Sequence, residues 1–204
     1  MKFKQKSILF FLTAFLILGC KDSEKSKPEQ ETKKSDSYVL VKDWPNLPDD
    51  FILGNPTGLG IDSNNNLVVF HRASRVWQEP MPEDKIQENT ITVIDKQTGK
   101  ILNSWGANLF IMPHGLEIDK ENNIWVTDVA LHQIFKFSSD GTLLLTLGET
   151  QVAGNDEEHF NLPTDVAVSA DGSFYVSDGY GNSRVIKFSK DGKYLFEWGK
   201  FGNK

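Results

Sequence analysis

The sequence predicts an all-β fold, a β-propeller built from four-stranded blades. Three copies of one phrase support this prediction, and each copy joins a proline-led turn to two strands with alternating apolar residues. The leading prolines, Pro56, Pro113 and Pro163, are 57 and 50 residues apart, a period that suits one blade per copy. The composition agrees, because a chain of 204 residues with 39% apolar and 11% aromatic residues can bury a β core.

Each copy contains four predicted strands. Leu116 and Ile118 alternate in the first strand of the second copy, and Ile124 and Val126 alternate in the next, so one set of side chains faces the core. Turns rich in Asn, Asp and Gly separate these strands, as tight hairpins require. The third and fourth strands flank an Asp-Gly or Thr-Gly turn, and each copy ends in a glycine that lets the chain turn sharply: Gly106, Gly148 and Gly199.

The first 20 residues are typical of a secretion signal with a lipobox. Three lysines precede an apolar run at 8–18, and Gly19 before Cys20 fits cleavage with a lipid attached to the cysteine sulfur. The apolar run is short for a membrane span, and a transmembrane anchor is the alternative. We therefore expect a membrane-anchored lipoprotein of a bacterial cell envelope, which faces the periplasm or the exterior.

The composition after the signal predicts a tether and then the propeller. Residues 21–37 are almost all polar or charged, so they cannot bury enough apolar surface to order themselves. We therefore expect a signal peptide at 1–20, a flexible tether at 21–37 and a partial propeller at 38–204.

Cysteine usage and charge restrict the function further. Cys20 is the only cysteine, so no intramolecular disulfide can form, and a metal site must use histidine and oxygen ligands. The formal net charge is −6, and loss of the signal with its three lysines would change it to about −9. Such an acidic chain lacks the basic surface that phosphate backbones require, so we expect no nucleic-acid partner.

The repeated phrase resembles the NHL repeat, a propeller-building unit, from about residue 53 to residue 202. Longer segments resemble a narrower family, the peptidyl-α-hydroxyglycine α-amidating lyases; they include FHRASRVW at 70–77, LFIMPHGLEID at 109–119, WVTDVALHQIFKF at 125–137 and SDGYGNSR at 177–184. The resemblance implies a six-bladed propeller, of which about three blades are present here. It also implies zinc, calcium and the cleavage of a peptidyl-α-hydroxyglycine, a carbinolamide, to peptide amide and glyoxylate.

The resemblance assigns two catalytic residues. Tyr180 matches a tyrosine that is proposed to take the hydroxyl proton of the substrate. Arg72 matches an arginine that stabilises the tyrosinate and binds the substrate carboxylate. Each has a simpler explanation when the resemblance is set aside. Tyr180 could be an exposed turn residue, and Arg72 could pair with one of the many acidic side chains.

Three residues are assigned to metals by the same resemblance. His114, in a Met-Pro-His-Gly phrase, matches the first of three zinc-binding histidines, and a capping or exposed turn histidine is the alternative. Leu59 and Leu116 match positions whose backbone carbonyls bind a structural calcium, which prefers oxygen ligands. Both leucines could also simply pack in the core.

The chain departs from the family pattern at one covalent link. Animal members join the blade that contains the tyrosine by a disulfide, and the matching positions here are Asn161 and Gly181. The disulfide is therefore absent, and we expect the chemistry to be retained.

Three functions remain open on the sequence. They are the lyase, a non-catalytic NHL scaffold that binds a peptide, protein or glycan at the cell envelope, and a calcium-dependent propeller hydrolase or lactonase. The phrases around Tyr180 and His114 argue against the third. In the family, two zinc ligands, a second substrate-binding arginine and ring closure belong to later blades. We therefore expect either a fragment of a longer enzyme or a homo-oligomer of two chains in one six-bladed ring.

Overall fold

A computed structural model of the chain describes residues 38–202. The predicted signal at 1–20, with Cys20, and the predicted tether at 21–37 lie outside the described residues. From Val41 onward the described chain forms one compact unit. Residues 38–202 contain no helix with the length and apolar character that a membrane span requires.

Twelve β-strands in this range form three four-stranded antiparallel sheets, which confirms the predicted all-β class. Each sheet contains four strands that are consecutive in the chain, so each repeat folds as one blade. The strands of the first blade are β1 Pro56–Ile61, β2 Leu67–His71, β3 Ile91–Ile94 and β4 Ile101–Trp105. Those of the second are β5 Pro113–Ile118, β6 Ile124–Asp128, β7 Gln133–Phe137 and β8 Leu143–Leu147. Those of the third are β9 Asp165–Val168, β10 Phe174–Asp178, β11 Arg184–Phe188 and β12 Tyr194–Trp198.

The hairpins turn where the sequence predicts. Asn65 and Asn122 adopt φ of 62° and 66° in the β1–β2 and β5–β6 turns, a left-handed conformation that asparagine tolerates. The glycines that close the three repeats also have positive φ, of 100°, 86° and 104°, which confirms the predicted sharp turns: Gly106, Gly148 and Gly199.

Apolar side chains between facing sheets form two cores. Val68 and Val93 of the first blade pack in one cluster with Ile124 of the second. Trp125 of the second blade contacts Phe174 of the third, with ring centroids 4.5 Å apart. Each core is therefore shared by two neighbouring blades, which is how sheets stack around a propeller axis.

The proline-led strands β1, β5 and β9 are the inner strands, because β1 packs on β5 and β5 packs on β9. Glycine permits this close approach. A Cβ on Gly58 would lie 2.4 Å from the Leu116 Cβ, and a Cβ on Gly115 would lie 2.6 Å from the backbone oxygen of Thr164. Real side chains do not reach such distances, so the spacing of the inner strands depends on these glycines.

The second strand of each blade ends in a fully buried polar residue. In the second blade this residue is Asp128, whose two oxygens accept four backbone N–H groups at 2.8 to 3.0 Å, two from the loop before β5 and two from the loop after β6. Burial raises the pKa of Asp128, and the four hydrogen bonds oppose that shift. The equivalent residues in the first and third blades are His71 and Asp178.

His71 connects strands of the first blade as a neutral ring. Its Nδ1 accepts the Ala73 N–H at 3.3 Å, so Nε2 bears the proton and donates it to the Thr92 hydroxyl at 3.0 Å. The side chain is completely buried, and burial lowers its pKa from 6.5 to about 4.

The close approach of strand β5 to Gly58 predicts that a methyl group added at this position lowers the stability of the fold. We expect Gly58→Ala to lower the free energy of unfolding by about 1–3 kcal/mol, because the new Cβ must displace strand β5. The matched control is Gly202→Ala, where a Cβ would contact nothing within 4 Å. Urea unfolding of both variants measures the difference, and equal stabilities would contradict the assigned role of Gly58.

Burial of His71 predicts acid-sensitive stability. The unfolded chain binds more protons than the folded chain between pH 6.5 and about pH 4, so the free energy of unfolding should fall as the pH is lowered through this window. The contribution of His71 to this fall is up to about 3 kcal/mol.

The measurement for His71 is an NMR titration of the histidine rings. We expect His71 to titrate near pH 4, whereas His159, whose pKa is raised by hydrogen bonds to Asp156 and Glu149, should titrate above its ordinary 6.5. A His71 midpoint at or above that of His159 would rule out the neutral buried ring.

Candidate active site

An open cleft of about 420 Å³ lies between the inner strands of the three blades. Polar groups contribute to its walls, and burial raises the pKa of the Asp165 carboxyl among them. The cleft is lined by Thr57, Gly58, His114, Gly115, Leu116, Thr164, Asp165 and Ser177.

His114 lies in β5 and faces the third blade. Its Nδ1 is 2.7 Å from the Thr164 carbonyl oxygen, and because a carbonyl only accepts, Nδ1 bears the proton. Nε2 lies 3.1 Å from the Tyr180 hydroxyl, and in the neutral ring it accepts a hydrogen bond from that hydroxyl. Burial lowers the pKa of His114; the Thr164 hydrogen bond opposes this shift, and the Arg72 charge lowers the pKa further. The ring is therefore neutral at neutral pH, with one electron pair on Nε2.

Tyr180 lies in the loop between β10 and β11. Its ring meets His114 edge to face, with centroids 5.4 Å apart, and meets Trp77 in the same way at 6.1 Å. Tyr180 is 58% exposed, so the residue that donates to His114 is open to solvent.

Arg72 follows β2 and reaches toward the second blade. Its Nε donates to the Pro113 carbonyl at 3.1 Å, and its guanidinium carbon lies 5.2 Å from the centre of the Trp77 ring. Among residues 38–202, neither terminal nitrogen has a hydrogen-bond acceptor and no carboxylate forms an ion pair with Arg72. Burial lowers the pKa of the guanidinium, while Tyr180 and Asp128 oppose the shift.

The structure thus brings together Arg72, His114 and Tyr180, one from each blade, although the sequence separates them widely. Trp77, which lies in the long connection between β2 and β3, contacts two of the three and was not singled out from the sequence. Trp77 belongs to the same segment as Arg72, FHRASRVW at 70–77, and this proximity in sequence could have indicated that it lies near the site. The catalytic roles of Arg72 and Tyr180 stay predictions.

A buried ionic network holds the Tyr180 loop. Asp178 ends β10 and Arg184 begins β11, and the Arg184 Nε donates to the Asp178 Oδ2 at 2.9 Å. The Asn182 amide donates to the same carboxylate oxygen at 2.7 Å. Arg184 also contacts Glu197 at 2.6 Å, and its second terminal nitrogen donates to two carbonyls of the 156–159 segment. Both ends of the loop are therefore fixed by charge-assisted hydrogen bonds.

The segment before β9 holds the same loop from the other side. Gly181 donates its N–H to the Asn161 carbonyl at 3.0 Å, and a Cβ on Gly181 would lie 2.2 Å from the Asn161 Cγ. The Asn182 amide also donates to the Gly154 carbonyl at 2.7 Å. The loop that positions Tyr180 is consequently hydrogen-bonded along its length.

The residues present fit a zinc ion only in part. A neutral histidine that donates through Nδ1 to a backbone carbonyl is the usual arrangement of a zinc ligand, and His114 has it. Within the described range, however, no three His, Cys, Asp or Glu side chains cluster closely enough to hold a metal ion. Among the described residues, His114 alone does not complete a zinc site, and its role as a zinc ligand stays a prediction.

The two leucines matched to calcium occupy equivalent places on adjacent inner strands. Leu59 pairs with Val69 in the first blade, and Leu116 pairs with Val126 in the second. Leu116 is buried, as the core alternative predicts, but Leu59 is 63% exposed, so that alternative is wrong for Leu59. Their role in calcium binding stays a prediction.

Comparisons of the fold with known proteins agree with a propeller. The NHL repeat family matches residues 110–137 and 160–188. A streptogramin B lyase structure is similar over 75% of this chain and 42% of that chain, with a TM-score of 0.52 and 18% identity. A virginiamycin B lyase from Staphylococcus aureus is similar over 74% of this chain and 42% of that chain, with a TM-score of 0.51 and 17% identity. These structures show the fold alone: the chain is an NHL-repeat β-propeller.

Closer relatives share more of the sequence. Peptidyl-glycine alpha-amidating monooxygenase B of Xenopus laevis is 44% identical in an alignment over 191 residues that covers 84% of this chain and 22% of that protein. Peptidyl-alpha-hydroxyglycine alpha-amidating lyase 1 of Drosophila melanogaster is 40% identical in an alignment over 181 residues that covers 82% of this chain and 33% of that protein. The chain thus spans about a fifth to a third of the length of these relatives. It is a homologue of the peptidyl-alpha-hydroxyglycine alpha-amidating lyases.

The network under the Tyr180 loop predicts a large loss of stability when its cation is removed. We expect Arg184→Met to lower the free energy of unfolding by about 3–5 kcal/mol, because Asp178 would be left buried without its counter-charge. The control is Lys120→Met, which removes an exposed ion pair with Glu121 and an exposed hydrogen bond to the Ala170 carbonyl and should cost less than about 1 kcal/mol. Chemical denaturation of both variants tests this, and similar losses would contradict it.

Proposed function

We propose that this chain carries the catalytic residues of a lyase, which cleaves a peptidyl-α-hydroxyglycine to a peptide amide and glyoxylate. The observation that supports the proposal is the convergence of Arg72, His114 and Tyr180 from three blades on one accessible site. Homologues that are named for this reaction point the same way.

Arg72 binds the carboxylate of the hydroxyglycine in this proposal. Its Nε is already used by the Pro113 carbonyl, which fixes the plane of the guanidinium, while its two terminal nitrogens have no acceptor among residues 38–202. A planar fork with two free donors matches the two oxygens of a carboxylate. The Trp77 ring supports one face of the guanidinium, so the substrate meets an oriented cation.

Tyr180 removes the hydroxyl proton of the substrate. The electrons of that O–H bond form the carbonyl bond of glyoxylate, the bond between carbon and the amide nitrogen breaks, and its electron pair stays on nitrogen. The proton that Tyr180 has removed passes to the nitrogen, which leaves as the primary amide, so no group is oxidised or reduced. Arg72, whose guanidinium contacts the same Trp77 ring as Tyr180, is the cation that the resemblance assigns to the support of this base.

Zinc and calcium are proposed as cofactors. The Nε2 electron pair of His114 would hold zinc as one ligand, and a bound zinc ion supplies a Lewis acid that polarises a substrate oxygen. The same electron pair accepts the hydrogen bond from the Tyr180 hydroxyl. His114 Nε2 therefore cannot bind a metal and keep that hydrogen bond at the same time. Calcium would bind the backbone carbonyls of Leu59 and Leu116.

The proposed location is the bacterial cell envelope, with a lipid on Cys20 as the membrane anchor and a peptidyl or small α-hydroxyglycine compound as the partner. The pattern of lysines, apolar residues and Gly19 before Cys20 supports this proposal. Mass spectrometry of the protein expressed in a bacterium tests it, because a mature chain that begins with a diacylated Cys20 is expected.

The reaction predicts a direct assay, glyoxylate release from α-hydroxyhippurate by the full chain with and without added zinc. We expect release that Tyr180→Phe reduces by about 100-fold or more in kcat, because the base is lost. Arg72→Gln should raise KM by about tenfold or more, because the carboxylate loses its charged partner.

Tyr175→Phe is the matched control, since this tyrosine lies in β10 and contacts Trp198 rather than the site. It should leave glyoxylate release unchanged. No release by the unmutated chain with zinc present would contradict the lyase proposal and favour the scaffold that binds a peptide, protein or glycan.

A further inference from the structure

Trp77 is a large aromatic side chain that remains 41% exposed beside the proposed site. It lies in the connection between β2 and β3 and belongs to neither interblade core. Its ring is nonetheless held in place, because the Arg72 guanidinium lies 5.2 Å from its centre and the Tyr180 ring lies 6.1 Å away, edge to face. An oriented apolar surface therefore borders both groups that contact the substrate.

One substituent of the substrate, the acylamino group, remains to contact the exposed Trp77 ring. The reacting carbon bears a hydroxyl, a carboxylate and an acylamino group. In the proposed function the hydroxyl lies at Tyr180 and the carboxylate at Arg72. The reacting carbon therefore lies between these two residues, and the acylamino group extends from that carbon. Because Trp77 contacts both, an apolar acyl group can reach its exposed ring.

We infer that Trp77 is a specificity-determining residue, whose exposed ring binds the apolar or aromatic acyl group on the nitrogen of the substrate. The inference rests on the proposed function, since it uses the same orientation of the reacting carbon. Trp77 takes no part in bond cleavage. It discriminates among substrates by the apolar area that their acyl groups can bury.

A purely supporting role for Trp77 makes a different prediction. If the ring only orients the Arg72 guanidinium, its removal weakens every carboxylate ligand by the same factor, whatever acyl group is attached. If the ring binds the acyl group, removal weakens ligands with a large apolar group selectively. The ratio of two affinities therefore separates the two roles.

The experiment compares N-benzoylglycine with N-acetylglycine by calorimetry on the full chain. Both keep the carboxylate and lack the reactive hydroxyl, so binding is measured without turnover. We expect the benzoyl compound to bind about tenfold more tightly, the gain that an aromatic pair and its buried area provide. Trp77→Ala should abolish this preference, and Trp77→Phe should keep most of it.

Trp198→Ala is the matched control, because Trp198 is a half-exposed tryptophan on β12 that contacts Tyr175 and Phe196 instead of the site. It should keep the tenfold preference. An equal loss of both affinities in Trp77→Ala, or no preference in the unmutated chain, would overturn the inference.

The kinetic counterpart separates this inference from the lyase proposal. With α-hydroxyhippurate and N-acetyl-α-hydroxyglycine, Trp77→Ala should reduce kcat/KM for the benzoyl substrate about tenfold more than for the acetyl substrate, mainly through KM. Absence of glyoxylate release together with a Trp77-dependent binding preference would reject the reaction and retain the acyl site. Release with an unchanged ratio in Trp77→Ala would retain the reaction and reject the acyl site.

Discussion

The close approach of the inner strands is the constraint on which the rest of the structure depends. Gly58 and Gly115 leave room for the neighbouring strand, so the blades converge within hydrogen-bonding distance of one another. His114 can then reach the Thr164 carbonyl and the Tyr180 hydroxyl of the next blade. A site assembled from three blades exists only at this spacing, because a shift of about 1 Å would break both hydrogen bonds.

The repeated parts of the fold could be predicted from the sequence, and the unrepeated parts could not. Strands and turns recur three times with the same alternation and the same closing glycines, so local rules identify them. Trp77 lies in the long connection between β2 and β3, and the Arg184 side chain joins the ends of β10 and β11 to the segment before β9. Their contacts depend on which segments meet in space. The motifs around Arg72, His114 and Tyr180 were visible, but their distances and tautomer required the structure.

The electrostatics of the site come from the Arg72 cation, the neutral His114 imidazole, the Tyr180 phenol and the Asp165 carboxyl. Among residues 38–202, the Arg72 guanidinium donates one hydrogen bond, through Nε, so both terminal nitrogens keep their donors available. His114 is neutral because burial outweighs the hydrogen bond that would favour its charged form. The buried Asp128 lies behind the cation and favours its charge, yet its own oxygens are occupied by backbone N–H groups. Among residues 38–202, the charge of Arg72 is therefore left without a hydrogen-bonded carboxylate partner.

The contact between Gly181 and Asn161 also sets the chemical conditions under which the site can exist. Animal relatives are expected to join these positions through sulfur, whereas here a backbone hydrogen bond and the Arg184 network hold the tyrosine loop. None of these groups responds to glutathione, peroxide or an oxidoreductase. The tyrosine should therefore keep its position in reducing surroundings, and the folded site does not depend on a thiol-oxidising pathway.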